Sequence, residues 1–174
     1  RMQTGEVHST ISPSMDIQIS SNFERLLFDM CDRDGDAVRS VMNTFGETGS
    51  FALGPSQMQS IQQLIAAARF DDDETRKVID DAYRQTGQLL DPHSAIGLAA
   101  GRARRNNMQT PLISLATAHP AKFPDAVEAA SGIRPELPDY LSDLFEREEH
   151  QTVLENDAAV IQEFVEAHRT GGTP

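Results

Sequence analysis

Helical spacing dominates this sequence, and only two short segments have the pattern of a strand. Residues 15–19 alternate apolar and polar side chains, as a half-buried strand does. Residues 112–116 form a short, nearly continuous apolar run of the kind that is buried on both faces of a parallel sheet. Two isolated strands do not make a stable sheet. We therefore predict a mostly helical α/β fold whose few strands add to a sheet that lies largely outside this chain.

The remaining apolar residues fall at steps of three and four, which is typical of amphipathic helices. This spacing predicts helices that begin near Ser21, near Ala37, at Pro55, after Asp71, at Pro92, near Ala126 and near Val160. Ser21 and Glu24 have the spacing of a capping box. Gly46, Gly49 and Gly54 are expected to mark a loop.

The helix expected at Pro92 has two further features. Asp91 is placed to cap it while Pro92 takes its first position. Gly97 and Gly101 lie four residues apart, so another backbone can approach this alanine-rich helix closely. The helical region is expected over about 21–104, and the strand with the C-terminal helices over about 111–169.

Charge and cysteine content narrow the function classes. The 174 residues contain 15 Lys and Arg against 27 Asp and Glu, a net charge of −12, which disfavours nucleic-acid binding. No apolar run approaches the length of a membrane span. Cys31 is the only cysteine, which excludes an internal disulfide framework and a multi-cysteine zinc site. A cytoplasmic setting is expected.

The ends of the sequence also lead to expectations. The first residue is Arg1 and no signal or transit pattern follows it, so we expect the chain to begin inside a longer protein. Gly171-Gly172 is expected to begin a frayed tail.

Several residue patterns suggest a metal or catalytic site but have simpler interpretations. The run at 32–36 resembles a calcium loop, yet the glycine and glutamate that the motif requires are displaced, which favours a solvated turn. His93 and His119 could join Asp91 at a zinc ion, although nothing fixes a closed ligand set. A catalytic triad of Ser94, His93 and Asp91 is excluded, because neighbours on one helix project in different directions. No metal site is predicted.

Two places are candidates for binding an anion or another ligand. Ser20, Ser21 and Asn22 precede a helix, with Arg25 one turn along, and they either bind an anion or only cap the helix. Ligands of open α/β sheets bind beyond the carboxyl ends of strands, which points to 117–120. Lys122 nearby either holds an anion or is an exposed lysine.

Three segments carry a resemblance to a known family. They are 12–27 (SPSMDIQISSNFERLL), 91–95 (DPHSA) and 115–123 (LATAHPAKF). Their order and separation resemble the carboxyl-terminal part of threonine synthase. That family uses pyridoxal 5'-phosphate (PLP), has the tryptophan-synthase-β-like fold (fold type II), and converts O-phosphohomoserine and water to L-threonine and phosphate.

The resemblance implies roles for particular residues. Thr117 matches the neutral hydroxyl residue that meets the pyridine nitrogen of the cofactor. The expected substrate contacts are Ser20, Ser21, Asn22, Arg25, His93 and His119. The strands would complete the sheet of the fold type II enzyme.

The resemblance also implies what this chain leaves to another part of the protein. The family's Schiff-base lysine and glycine-rich phosphate loop precede the matching part, so no catalytic residue is assigned here. Lys77 lies among carboxylates that favour its charged form, and Lys122 lies in a block where that lysine does not occur. We therefore expect the chain alone to be inactive.

Two functions remain open from the sequence. The first is an enzyme part whose partners are the preceding N-terminal part of the same protein and O-phosphohomoserine, with a monomer as the expected state of the intact enzyme. The second is a non-enzymatic, acidic helical module that binds other proteins. An upstream reading frame that encodes a lysine segment and a glycine-rich loop would decide for the enzyme.

Overall fold

A computed structural model describes residues 1–169, so the tail predicted at Gly171-Gly172 lies outside the described residues. Within this range the α-helices are α1 Phe23–Met30, α2 Gly35–Thr48, α3 Pro55–Leu64, α4 Asp72–Thr86, α5 Pro92–Arg104, α6 Pro124–Ser131 and α7 Ala158–Ala167. The strands are β1 Met2–Gln3 and β2 Ser50–Phe51. Short 3-10 turns occupy Pro13–Met15, Pro120–Lys122, Asp139–Leu141 and Leu144–Glu146. The prediction of a mostly helical chain is confirmed.

The chain divides into two compact units. The first spans Arg1–Glu136 and contains α1 to α6, and the second begins at Leu137 and contains α7. The predicted subdivision at about 21–104 and 111–169, within one larger domain, stays a prediction.

The core of the first unit lies where α4, α5 and α6 meet. Ile79 of α4, Ala95 of α5 and Val127 of α6 are fully buried against one another. Because burial of each large aliphatic side chain contributes about 1.5–3 kcal/mol, this cluster fixes the positions of the three helices. The start of α5, which carries the candidate site, is therefore anchored on two neighbouring helices.

Local signals placed the ends of α4 correctly. Asp71 and Glu74 form a capping box, in which the Asp71 carboxylate accepts from the Glu74 N–H and the Glu74 carboxylate accepts from the Asp71 N–H, both at 2.9 Å. Gly87 ends the helix in the left-handed conformation at φ 72°. Such a backbone angle favours glycine, which has no β-carbon to clash.

The small sheet comes from segments that have no strand pattern. β1 and β2 pair antiparallel, with Met2 opposite Phe51 and Gln3 opposite Ser50. The Phe51 ring meets Phe45 of α2 edge to face, with 5.4 Å between ring centroids. The pairing therefore depends on a long-range contact rather than on local alternation.

The strand predicted at 15–19 is wrong for the described structure. Pro13–Met15 forms a 3-10 turn instead, because proline fixes the backbone angle of its first residue. The Asp16 carboxylate then accepts 2.8 Å hydrogen bonds from the Thr10 N–H and hydroxyl, which holds the chain in a loop. Alternation alone does not form a strand without a partner.

Several predicted helix details are also corrected. α1 begins at Phe23, and its start has no side-chain cap, so the expected Ser21–Glu24 capping box does not form. α2 continues through Gly46 and ends before Gly49, which adopts φ 68°. α3 begins at Pro55, as predicted, and ends at Leu64, which is exposed.

The turn between α1 and α2 has a structural role. Asp34 caps α2 by accepting hydrogen bonds from the N–H groups of Asp36 and Ala37. Asp32 and Arg33 both adopt a positive φ there. Across residues 1–169, no group of three His, Cys, Asp or Glu side chains is placed to hold a metal ion.

The described residues of the second unit, 137–169, contain one local ion pair and one α-helix. Asp157 caps α7, which confirms the helix predicted near Val160. Arg147 Nε donates to Asp143 Oδ1 at 3.1 Å. This hydrogen bond holds the pKa of the Asp143 carboxyl below its usual value.

None of the helices in the described range combines the length and the apolarity that crossing a bilayer demands.

Candidate functional site

The segment 111–118 runs along α5 without belonging to a sheet. No backbone-to-backbone hydrogen bond among the described residues involves it. Ser114 lies near Gly97, and Leu112 lies against Gly101, which is about one helical turn further along α5. The Thr117 N–H donates to Ser94 Oγ at 3.1 Å. The contacts at Gly97 and Gly101 come from the side chains of Ser114 and Leu112, so the predicted close approach of a second backbone stays a prediction.

The outer side of this segment is open. Ile113 is 83% exposed and Leu115 is 74% exposed, whereas Leu112, which faces the glycine, is 38% exposed. The expectation of a strand buried on both faces is therefore wrong within the described residues. The physical reason is that no described strand pairs with either edge, so only the face on α5 is covered.

The N-terminus of α5 is built on a buried carboxylate, as predicted. Asp91 is 0% exposed, and it accepts from the His93 N–H at 2.9 Å and the Ser94 N–H at 3.3 Å. Pro92 takes the first helical position. Asp91 also accepts from the Ser94 hydroxyl and lies 2.9 Å from His93 Nδ1. One carboxylate thus organises four donors.

Ser94 and His93 do not form a nucleophile–base pair in this geometry. Ser94 and His93 each bond to Asp91 and not to each other. A nucleophile needs its base within hydrogen-bond reach, and Ser94 and His93 do not meet this condition in the described structure.

His93 has a buried side-chain nitrogen without a hydrogen-bond partner in the described structure. Its side chain is 10% exposed, and its Nε2 is buried with no hydrogen-bond partner in the described structure. The imidazole ring lies 4.7 Å from the Phe123 ring, centroid to centroid. An ionised carboxylate only accepts hydrogen bonds, so His93 Nδ1 carries a hydrogen toward Asp91.

A cavity of about 540 Å³ opens beside the N-terminus of α5. Its lining includes Asp91, Ser94, Ala116, His119 and Glu136. His119 is exposed, and its Nδ1 accepts from the Ala121 N–H, which caps the 3-10 turn. His119 and Ser94 thus line the same cavity. The ligand site predicted at 117–120 stays a prediction.

Thr117 is held by its backbone and open at its side chain. The residue is exposed, and across residues 1–169 its hydroxyl has no hydrogen-bond partner. The Thr117 hydroxyl is therefore not used by the fold. Its sequence neighbours Ala116 and Ala118 line the 540 Å³ cavity, whereas Thr117 itself does not.

The four residues at the start of α1 lie on two different sides. Ser20 and Asn22 line an apolar cavity of about 650 Å³, whereas Ser21 and Arg25 line a separate one. The N–H groups of Phe23, Glu24 and Arg25 already donate to the carbonyls of residues 20–22. An anion at this helix start would have to bind through the hydroxyls, the Asn22 amide or Arg25. The predicted substrate contacts at these residues stay predictions.

Both lysines have local partners. Lys77 Nζ lies 3.1 Å from Asp81, and the two residues lie four positions apart on the exposed face of α4. Lys122 Nζ lies 5.8 Å from the centre of the Phe123 ring.

Comparison with known proteins gives a consistent result. A family model described as "Threonine synthase, C-terminal" matches residues 94–165. Threonine synthase of Pseudomonas aeruginosa is 45% identical over 175 residues, covering 100% of this chain and 37% of that protein. The chain therefore spans little more than a third of the length of this curated relative.

Solved structures agree with the sequence matches. The crystal structure of PLP-bound threonine synthase from Brucella melitensis matches with a TM-score of 0.82 and 46% identity, covering 97% of this chain and 36% of that one. Threonine synthase from yeast matches with a TM-score of 0.76 and 31% identity, covering 94% and 37%.

The fold is thus that of one part of a fold type II enzyme, the tryptophan-synthase-β-like class. The chain belongs to the threonine synthase family and corresponds to its carboxyl-terminal part. This confirms the resemblance inferred from residues 12–27, 91–95 and 115–123.

The sequence alone missed the role of Ser94. Sequence reasoning considered it only as a nucleophile, whereas the structure shows it bound to Thr117, which lies 23 residues away. The available signal was the spacing of the small residues Ser94, Gly97 and Gly101 along one face of α5.

Proposed function

We propose that this chain forms one side of the PLP cleft of a threonine synthase, which converts O-phosphohomoserine and water to L-threonine and phosphate. The match over the whole chain supports an enzyme part over a separate protein-binding module. The single observation that carries the proposal is the free hydroxyl of Thr117, presented at the end of a segment that belongs to the family's matching block.

The chemistry of Thr117 fits the cofactor. When bound, PLP supplies an electron sink for carbanion chemistry on the substrate. The Thr117 hydroxyl is neutral and unused by the fold, so it can hydrogen-bond the pyridine nitrogen without placing a negative charge there. A neutral partner leaves that nitrogen largely unprotonated and moderates the electron withdrawal.

The open segment 111–118 supports a partner from the same protein. Both of its edges lack backbone hydrogen bonds among the described residues, and buried peptide groups must find partners. We propose that strands of the preceding N-terminal part pair with it and cover Ile113 and Leu115, completing the sheet of the fold type II enzyme.

We propose that the substrate phosphate is met by side chains of this chain. At the start of α1, either Ser20 with Asn22 or Ser21 with Arg25 offers polar groups that suit a phosphate, because the two pairs line separate cavities. His93 and His119 offer imidazole nitrogens at the second candidate place, which is the N-terminus of α5 and the turn that follows 112–116. The free Cys31 fits a reducing, cytoplasmic compartment. For the intact enzyme we propose a monomer.

The lysine that carries the cofactor is proposed to lie outside this chain. The pairing of Lys77 with Asp81 and of Lys122 with the Phe123 ring supports this, since each amine already serves a local contact. The isolated 174-residue chain is accordingly expected to be inactive.

The test is the activity of the encoded protein, including any residues that the gene places before Arg1. Thr117→Ser keeps the hydroxyl and should retain most of the activity. Thr117→Val removes it and should lower kcat on the order of ten- to a hundredfold, the range for one hydrogen bond to a polar or charged site. Equal turnover by wild type and Thr117→Val would remove Thr117 from the site, and absence of threonine formation by wild type would refute the proposed function.

A further inference from the structure

The carboxyl end of the open segment is fixed by one hydrogen bond. Among residues 1–169, the Thr117 N–H donation to Ser94 Oγ at 3.1 Å is the one hydrogen bond made by a backbone group of 111–118. Ser94 is 4% exposed, so its hydroxyl is shielded from water, whereas the donor residue Thr117 is exposed. The position of the Thr117 backbone therefore depends on where the Ser94 hydroxyl points.

The direction of that hydroxyl is fixed by Asp91. A carboxylate only accepts hydrogen bonds, so the Ser94 O–H must donate to Asp91 Oδ2, which leaves the lone pairs of Ser94 Oγ to accept from Thr117. The other oxygen, Asp91 Oδ1, accepts from the backbone N–H of His93 and lies 2.9 Å from His93 Nδ1. Asp91 is 0% exposed and cannot turn without breaking these bonds.

We propose that Ser94, oriented by Asp91, is a positioning residue that places Thr117 for the cofactor. The inference rests on the proposed function, in which the Thr117 hydroxyl meets the pyridine nitrogen. It goes beyond that function by assigning a role to Ser94 of α5 and to Asp91, which caps this helix, although neither touches cofactor or substrate in this scheme.

The role predicts a specific dependence. Without the Ser94 hydroxyl, the Thr117 N–H loses its acceptor and 111–118 loses the bond that fixes its end. The Thr117 hydroxyl is then no longer held in place, so part of its contribution to cofactor binding is lost. If Thr117 has no hydroxyl, the same change at Ser94 has nothing left to misplace.

The experiment is a double-mutant cycle on the encoded protein, read out as the dissociation constant for PLP. Apo-protein is titrated with PLP, and the absorption band of the bound cofactor is followed. Ser94→Ala in the wild-type background is expected to raise the dissociation constant by about three- to tenfold, the range for one net hydrogen bond. In the Thr117→Val background, Ser94→Ala is expected to change it by less than about twofold, since contacting residues are not additive.

A matched control separates positioning from loss of a buried hydroxyl in general. Thr75 on α4 is 1% exposed, and its hydroxyl donates to the Asp71 carbonyl at 2.7 Å. Thr75→Val removes that bond at nearly constant volume and should leave the PLP dissociation constant unchanged. Ser94→Cys keeps the side-chain shape with a weak acceptor, and it should shift affinity in the same direction if Ser94→Ala does not fold.

The outcomes distinguish the two proposals. Failure of the wild-type protein to bind PLP refutes the proposed function. Binding by wild type with equal effects of Ser94→Ala in both Thr117 backgrounds, or with an equal effect of Thr75→Val, overturns the positioning role alone. A loss confined to the background that retains the Thr117 hydroxyl supports it.

Discussion

Leu112 lies directly against Gly101. A β-carbon added to this glycine would lie 2.9 Å from Leu112 Cδ1, 3.1 Å from Cδ2 and 3.4 Å from Cγ. The approach of 111–118 to α5 therefore depends on a glycine in the interior of that helix. Glycine in such a position costs about 1 kcal/mol of helix stability relative to alanine, and here the close approach explains its presence.

Gly101→Ala is expected to stabilise the protein less than the same change at another helical glycine. Gly46 in α2 has nothing within 4 Å of an added β-carbon, so Gly46→Ala should raise the free energy of unfolding by about 0.5–1 kcal/mol. At Gly101 the same gain is offset because Leu112 must move. Urea denaturation of the encoded protein measures both values.

The role of Leu112 can be checked in a second background. In Leu112→Ala protein, Gly101→Ala should recover the gain seen at Gly46, because the opposing side chain has gone. An equal gain from Gly101→Ala with and without Leu112 would show that the two residues do not press on each other.

Asp91→Ala is expected to be more destabilising than loss of an exposed helix cap. Asp34→Ala removes an exposed cap at α2 and should cost about 1 kcal/mol. Asp91→Ala also leaves His93 Nδ1 and the Ser94 hydroxyl without their acceptor in a buried place, which should bring the cost to about 2–4 kcal/mol. Equal midpoints of thermal unfolding for the two variants would contradict the arrangement.

The hydrogen on His93 has a predicted position. Because Asp91 accepts and does not donate, His93 Nδ1 should carry a hydrogen. Long-range nitrogen–proton correlation by NMR distinguishes the two imidazole nitrogens. Observation of a neutral ring with hydrogen on Nε2 alone would show that the Asp91–His93 hydrogen bond is not formed.

The Asp143–Arg147 pair predicts a small acid-dependent effect in the second unit. Arg147 holds the pKa of Asp143 below its usual value of 3.8, so the pair favours the ionised carboxyl. Its stabilising contribution is present above about pH 4 and is lost as the pH falls through the folded-state pKa. Arg147→Ala should raise the pKa of Asp143 in an NMR titration, whereas an unchanged titration midpoint would contradict the pairing.

Local chemistry made most helix ends predictable from the sequence. The capping box of Asp71 and Glu74, the Asp91-Pro92 start and the Gly87 stop all act within a few residues, so the sequence contains everything that determines them. The capping pair predicted at Ser21 failed because the preceding turn already supplies carbonyl acceptors for the first N–H groups of α1.

Strands were harder because pairing is not a local property. The alternating segment 15–19 has no partner and folds as a turn and loop, whereas β1 and β2, without any pattern, pair across almost fifty residues. The segment 112–116 has the composition of a buried strand but only α5 beside it among the described residues. The apolar pattern of 112–116 is typical of a strand inside a sheet, and the described residues do not supply the neighbouring strands.

The candidate site was likewise predictable only in part from the sequence. Thr117 was identified through a family resemblance, and its open hydroxyl agrees with that role without testing it. The bond from Ser94 to Thr117 joins residues 23 positions apart. The spacing of Ser94, Gly97 and Gly101 indicates a face of α5 with small residues, but it does not indicate which residue lies against that face. Only the close packing on Gly97 and Gly101 places them together.

The location of the lysine that carries PLP in the encoded protein tests the proposed function most directly. Borohydride reduction fixes the cofactor to that lysine, and peptide mapping by mass spectrometry then identifies it. We predict that the labelled lysine lies outside Arg1–Pro174 and that Lys77 and Lys122 stay unlabelled. Label on Lys77 or Lys122, or no label anywhere, would contradict the claim that this chain completes a PLP cleft whose lysine comes from another part of the protein.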